Sequence, residues 1–167
     1  SCHTGESSGA TGGNWYIVRV SIAGTLPAAP TLGTVPMTSL SSGPRPGPRV
    51  IEVPPGVGAV NALWEPLGEA LSGGQPIAPV PPVSTAQPAA VVDALRNAIR
   101  PQQSTLPNTA MVVTTSGSTG NPRGVELSAA ALDSLTDEVN ALAGSDPSWV
   151  LSIPATSIGG LNVLIRS

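Results

Sequence analysis

Residues 110–125 place the strongest constraint on the fold of this 167-residue chain. Residues 110–113 form an apolar run that is typical of a buried strand. Residues 114–125 then read Thr-Thr-Ser-Gly-Ser-Thr-Gly-Asn-Pro-Arg-Gly-Val, and a helical stretch begins near Ser128. Glycines let backbone N–H groups converge, hydroxyls add donors, and arginine supplies positive charge. The order of strand, loop and helix therefore predicts a loop that binds phosphate groups.

The glycine spacing excludes two common phosphate-binding motifs. A P-loop requires Gly, four residues, and then Gly-Lys followed by Ser or Thr. Gly117, Gly120 and Gly124 do not fit that spacing, and the chain has no lysine. The dinucleotide-binding pattern Gly-x-Gly-x-x-Gly is also absent. A surface loop without a ligand is the alternative interpretation, and the buried strand before the loop argues against it.

Two segments resemble one enzyme superfamily. Residues 115–125 resemble the phosphate loop of the adenylate-forming enzymes, Thr-Ser-Gly-Ser/Thr-Thr-Gly-x-Pro-Lys-Gly-Val, with Arg123 in place of lysine. Residues 148–167 resemble a segment of the o-succinylbenzoate–CoA ligases, where a Trp-containing strand leads to Leu-Pro-x-x-His-x-x-Gly-Leu-x-Val-Leu-x-Arg-Ser. Ser157 stands at the histidine of that segment. The resemblance extends over residues 49–167.

The resemblance implies an α/β fold, as a partial N-terminal domain of an adenylate-forming enzyme behind a disordered N-terminal extension. We assign residues 1–48 to a disordered or non-native leader and residues 49–167 to the N-terminal part of the AMP-binding (adenylation) domain. Residues 1–36 are rich in Gly, Ser, Thr and Pro, and Met37 offers a natural start. We therefore expect residues 1–36 to derive from sequence upstream of the true start. A genuine disordered extension is the alternative.

The resemblance also implies an activity. It implies a cytoplasmic ligase that uses ATP and Mg²⁺ to adenylate o-succinylbenzoate and then transfers the acyl group to coenzyme A, in menaquinone biosynthesis. Arg123 is the candidate catalytic residue, and Ser157 and Gly160 are the candidate substrate-binding residues. The candidate cofactor-binding residues are those that match the loop motif: Thr115, Ser116, Gly117, Ser118, Thr119, Gly120, Arg123 and Gly124.

In the family, an acidic Mg²⁺-binding motif, a ribose-binding Asp and a catalytic Lys all lie downstream of this loop. No metal ligand is predicted in this chain. The expected partners are thus a small-molecule carboxylate and the missing C-terminal part of the same polypeptide, which we expect to be needed for activity. No oligomeric state is predicted.

Two other functions stay open. The replacement of the histidine by Ser157 leaves open an adenylate-forming ligase for another carboxylate. The changes at Arg123 and Ser157, with the missing downstream motifs, leave open a non-catalytic nucleotide-binding remnant. The net charge of −3 argues against a nucleic-acid partner. No apolar run approaches the ~18–20 residues of a membrane span.

Hydrophobic spacing of three and four residues predicts helices at residues 57–71, 89–99 and 129–142. Ser128 is the predicted N-cap of the third helix. The buried face of that helix is predicted to comprise Leu132, Leu135, Val139 and Leu142.

The strands are less clearly marked. Residues 49–53 are predicted to form a short strand, and residues 15–22 alternate weakly like a strand without a partner nearby. Residues 76–83 are predicted to be an extended connector, because proline cannot donate to a central ladder. Trp64 and Trp149 are expected to lie in the core. Alternating strands and helices favour an α/β layer with some parallel pairing.

Overall fold

The computed structural model describes residues 44–115, 121–143 and 149–167, together with the backbone of residues 18–20. Strands and helices alternate along most of this part of the chain. Their order is β1 (Val18–Val20), β2 (Arg49–Glu52), α1 (Val57–Leu71), β3 (Ile77–Val80), α2 (Ala89–Ile99), β4 (Thr109–Thr115), β5 (Arg123–Ser128), α3 (Ala129–Ala143), β6 (Trp149–Leu151) and α4 (Ile158–Arg166).

The main sheet has the strand order β2-β3-β4-β5. Strands β2, β3 and β4 are parallel, and β5 is antiparallel to β4. One face carries a core that includes Leu63 of α1, Leu132 of α3 and Leu161 of α4. The opposite face carries a smaller core around Val112 and Ile99, the last residue of α2. The predicted mixed α/β class is confirmed.

A separate two-stranded sheet pairs β1 with β6 in antiparallel register, with Val18 opposite Leu151 and Val20 opposite Trp149. Strand β1 falls within residues 15–22, for which the sequence indicates no partner nearby. The partner lies about 130 residues further along the chain, and local sequence patterns give no information on such distant pairing.

Strand β3 lies inside the main sheet, and all four of its residues are buried. The prediction that residues 76–83 form a connector outside any central ladder is therefore wrong. Pro76 and Pro79 are among the most completely buried side chains of the protein.

The hydrogen-bond pattern explains how a central strand accommodates proline. The N–H of Arg49 in β2 donates to the carbonyl of Pro76 at 2.8 Å. In a strand with a neighbour on each edge, the backbone groups of successive residues bond alternately to the two neighbours. The backbone nitrogen of Pro79 therefore points towards β4 rather than β2. The pairing of β3 with β4 is confined to Ile77 and Met111. The missing N–H of Pro79 therefore lies on the edge of β3 that forms few hydrogen bonds, and its loss disrupts little of the sheet.

Helix bounds are predicted more accurately than helix faces. Helices α1 and α2 span the predicted residues, and Ser128 caps α3 by accepting a hydrogen bond from the N–H of Ala131 at 3.2 Å. In α3, however, Leu135 is 39% exposed and Leu142 is 89% exposed. The prediction is confirmed at Leu132, which is buried, and is wrong at Leu135 and Leu142. Spacing identifies an apolar stripe but not the length of the surface that covers it.

The two tryptophans differ from their predicted core positions. Trp64 is 45% exposed, because the buried stripe of α1 runs through Leu63 and Leu67 and leaves the neighbouring position outside. Trp149 is half-buried, and the guanidinium of Arg166 lies over its ring at 5.4 Å from the centroid. None of the helices in the described ranges is long and apolar enough to cross a bilayer.

Arg45 connects residues 44–48 to the main sheet, although the sequence analysis assigns it to the leader. Its backbone forms an antiparallel bridge with Thr105. Its guanidinium donates to the carbonyls of Thr109 at 3.0 Å and Gly74 at 2.7 Å, and also to Gly73. One side chain thus holds together the α1–β3 connection, the start of β4 and residues 44–48.

Replacing Arg45 by alanine is expected to lower the free energy of unfolding by about 2 kcal/mol, because several carbonyls lose a charged donor. Arg49→Ala is the matched control, since Arg49 forms an exposed ion pair with Glu69 and such pairs contribute about 1 kcal/mol or less. Urea denaturation measures both changes. Equal losses in the two variants would contradict the role of Arg45.

Candidate nucleotide-binding site

The predicted phosphate loop connects two antiparallel strands. Residues Thr115 and Arg123 are opposite one another in the register of β4 and β5, so residues 116–122 form the connection between them. Five predicted binding residues, Ser116 to Gly120, lie outside the described residues. Their contact with phosphate stays a prediction, whereas the structure brings Thr115, Arg123 and Gly124 together at the base of the loop.

The predicted order of strand, loop and helix is wrong, because β5 lies between the loop and α3. Ser128 at the end of β5 is opposite Thr109 at the start of β4. At ~3.3 Å per residue, the start of α3 is roughly 20 Å along β5 from the loop. The N-terminus of α3 is therefore too far from the loop for its dipole to act on a phosphate bound there.

Cross-strand partners share a face of the sheet, which gives the hairpin two different sides. Thr115 and Arg123 are on the side of the larger core. Gly124 and Glu126 are on the side of α2. Arg123 is exposed and takes part in neither of the ion pairs found among the described residues. An exposed guanidinium at the end of this loop fits a phosphate ligand.

Gly124 has a structural reason to be glycine. A Cβ at this position would lie 2.6 Å from the carbonyl oxygen of Ala98 in α2 and 3.3 Å from a methyl group of Val112. The end of α2 thus packs directly on the backbone of β5, next to Arg123. This packing accounts for the glycine without a ligand, and the predicted contact of Gly124 with phosphate stays untested.

A cavity of about 680 Å³ lies between the end of α2, residues 103–105 and the start of β5. We call it the α2 cavity. It is lined by Asn97, Arg100, Gln103 and Glu126, among others, and Arg123 also borders it. Sequence patterns did not identify this cavity, because its residues come from three separate segments.

Glu126 fixes the far wall of the α2 cavity. Its Oε2 atom accepts hydrogen bonds from the N–H of Leu106 and from the hydroxyl of Thr109, both at 2.7 Å. The Arg45–Thr105 bridge holds the same wall from the other side. Hydrogen bonds therefore hold one wall of the cavity in place.

Ser157 and Gly160 lie together at the start of α4, on an element that contacts α1, α3 and β6. The Ser157 hydroxyl donates to the carbonyl of Pro154 at 2.7 Å and accepts from the N–H of Gly160 at 3.3 Å. A Cβ at Gly160 would lie 2.9 Å from the Cα of Ala155. Both residues therefore have a local structural role, and the structure leaves their contact with substrate as a prediction.

The described residues contain no group of three or more His, Cys, Asp or Glu side chains arranged to hold a metal ion. We therefore assign no Mg²⁺ ligand within them.

Comparison with known proteins finds two similar sequences. Neither a family model nor a solved structure matches the chain significantly. Two curated proteins do match, each 36% identical over 120 residues, which is 71% of this chain and 29% of the relative. The matched segment is thus a partial homologue of two CoA ligases, in agreement with the resemblance of the loop motif.

The two relatives are each named a probable 2-succinylbenzoate–CoA ligase, from Mycobacterium tuberculosis strains CDC 1551 / Oshkosh and ATCC 25618 / H37Rv. The chain spans about 29% of their length.

Replacing Gly124 by alanine is expected to destabilise the protein by about 1–3 kcal/mol, because the new methyl group overpacks the contact with Ala98. Gly68→Ala is the matched control, since a Cβ in that exposed position of α1 meets nothing within 4 Å. It should stabilise the protein by roughly 0.5–1 kcal/mol. Chemical denaturation measures both, and a Gly124→Ala variant as stable as the wild type would contradict the packing.

Proposed function

We propose that this chain is part of an ATP-dependent ligase that activates o-succinylbenzoate as an acyl-adenylate and transfers the acyl group to coenzyme A. The observation that carries the proposal is the 36% identity over 120 residues to the curated ligases. The hairpin supports it, because Arg123 is exposed at the base of the loop that matches the phosphate motif. A cytoplasmic location and a role in menaquinone biosynthesis belong to the same proposal.

The first step forms a bond between a substrate carboxylate oxygen and the α-phosphorus of ATP and breaks the bond to pyrophosphate. Negative charge then develops on the leaving pyrophosphate. In this proposal Arg123 stabilises that charge, and Thr115 and the loop hydroxyls hold the phosphates in position. Mg²⁺, when bound to ATP, would share the charge. In the second step the thiolate of coenzyme A attacks the acyl carbon, and AMP leaves.

The relatives are more than three times as long as the matched segment. We propose that the groups needed to complete adenylation come from the remaining part of such a polypeptide. The 167-residue chain alone is then expected to bind nucleotide without turnover.

A second candidate is a ligase for a different carboxylate. The observation that favours it is the position of Ser157, whose hydroxyl is engaged in capping α4. Such a residue cannot provide the aromatic ring or free polar group that histidine offers in the family segment. Adenylation assays with a panel of acids separate the two candidates, and turnover with fatty acids alone would reject o-succinylbenzoate.

Replacing Arg123 by alanine is expected to reduce adenylation by about 10²-fold, since one charged group that stabilises the leaving phosphates is lost. The measurement is ATP–pyrophosphate exchange in the presence of o-succinylbenzoate. The assay uses the whole polypeptide that the native gene encodes. Arg123→Lys, which restores the family residue, should keep most of the activity. Unchanged exchange in the alanine variant would reject the role of Arg123.

A further inference from the structure

Arg100 follows α2 in an unusual backbone conformation. Its φ and ψ angles are 55° and 58°, in the left-handed region. Helices commonly end with a residue in this region, and that residue is usually glycine, because other residues incur about 1–2 kcal/mol of steric cost there. The turn is maintained by a hydrogen bond from the N–H of Gln103 to the carbonyl of Arg100 at 2.9 Å. The chain thus has a long cationic side chain at a position where glycine is usual.

The side chain of Arg100 has a formed cavity beside it. Arg100 lines the α2 cavity, whose volume of about 680 Å³ lies in the range of ~300–1,000 Å³ typical of small-molecule sites. The wall opposite α2 is fixed by the hydrogen bonds of Glu126. This fixed wall lowers the entropic cost of binding a ligand against it.

Arg100 brings a cation to the α2 cavity. Arg49 and Arg96 each pair with a glutamate, whereas Arg100 takes part in neither ion pair among the described residues. The side chain of Arg123 is on the other face of β5. The one carboxylate of the cavity, on Glu126, already accepts two hydrogen bonds. Amide side chains such as Gln103 add neutral donors. A guanidinium with neutral donors around it is suited to a phosphate group.

We propose that Arg100 binds a phosphate group of a nucleotide in the α2 cavity. This inference rests on the proposed ligase function, which provides two nucleotides with the same phosphate chemistry, ATP and coenzyme A. Arg100 is then a second cation for nucleotide binding, on the opposite side of β5 from Thr115.

Arg100→Gly gives a test in which binding and stability change in opposite directions. Isothermal titration of the 167-residue chain with ATP and, separately, with coenzyme A should show about tenfold weaker binding of one ligand, the loss expected for a charged hydrogen bond. The melting temperature should stay equal or rise, because glycine relieves the left-handed strain. Weaker binding in a variant that is at least as stable cannot result from unfolding.

Arg96→Gln is the matched control, because Arg96 lies one turn earlier on α2 and pairs with Glu52. It should change neither affinity. Weaker binding of ATP alone by Arg100→Gly identifies the ATP phosphates as the ligand, and weaker binding of coenzyme A alone identifies that nucleotide.

Three results would overturn the inference. The first is unchanged affinity of Arg100→Gly for both ligands while Arg123→Ala weakens ATP binding; the proposed function would then stand without Arg100. The second is an equal loss in Arg96→Gln, which would indicate a nonspecific charge effect. The third is a wild-type chain that binds neither nucleotide, which would contradict the proposed nucleotide site itself.

Discussion

The burial of strand β4 on both of its faces is the constraint on which the rest of the described fold depends. Its first five residues are buried, and neighbouring side chains belong to different cores, Met111 to the larger and Val112 to the smaller. The strand pairs with β3 on one edge and β5 on the other. Helices on both sides are thus held by one segment, and the same segment leads directly into the phosphate-loop motif. A substitution in β4 would affect both cores and the base of the loop together.

Two features of strand pairing define the main sheet. The ladder of β3 with β4 is confined to Ile77 and Met111 and so accommodates Pro79, and the other edge of β3 pairs with β2 along its whole length. At the other end, β5 reverses direction and returns the chain past the α2 cavity. Its first four residues are exposed, so within the described chain β5 forms an open edge of the sheet.

Local signals in the sequence predicted the features that depend on local physics. The apolar spacing predicted the helix bounds, and the hydroxyl of Ser128 predicted the cap of α3. The loop motif carried the resemblance without any knowledge of the fold. Features that depend on distant contacts were missed. Strand β5 has no alternation strong enough to separate it from the loop, and the exposure of Leu142 depends on how far neighbouring elements extend along α3. The α2 cavity needed the tertiary structure, because Arg100 and Glu126 are brought together only by packing of α2 on β5.

The contact of Gly124 with the carbonyl of Ala98 has a thermodynamic consequence. Ala98 is two residues before Arg100, and Gly124 directly follows Arg123. With no side chain between the two backbones, a movement of the end of α2 is transmitted directly to the start of β5. The contact therefore predicts that binding at one proposed site is coupled to binding at the other. Such coupling would be reciprocal, because each ligand would change the affinity for the other by the same factor.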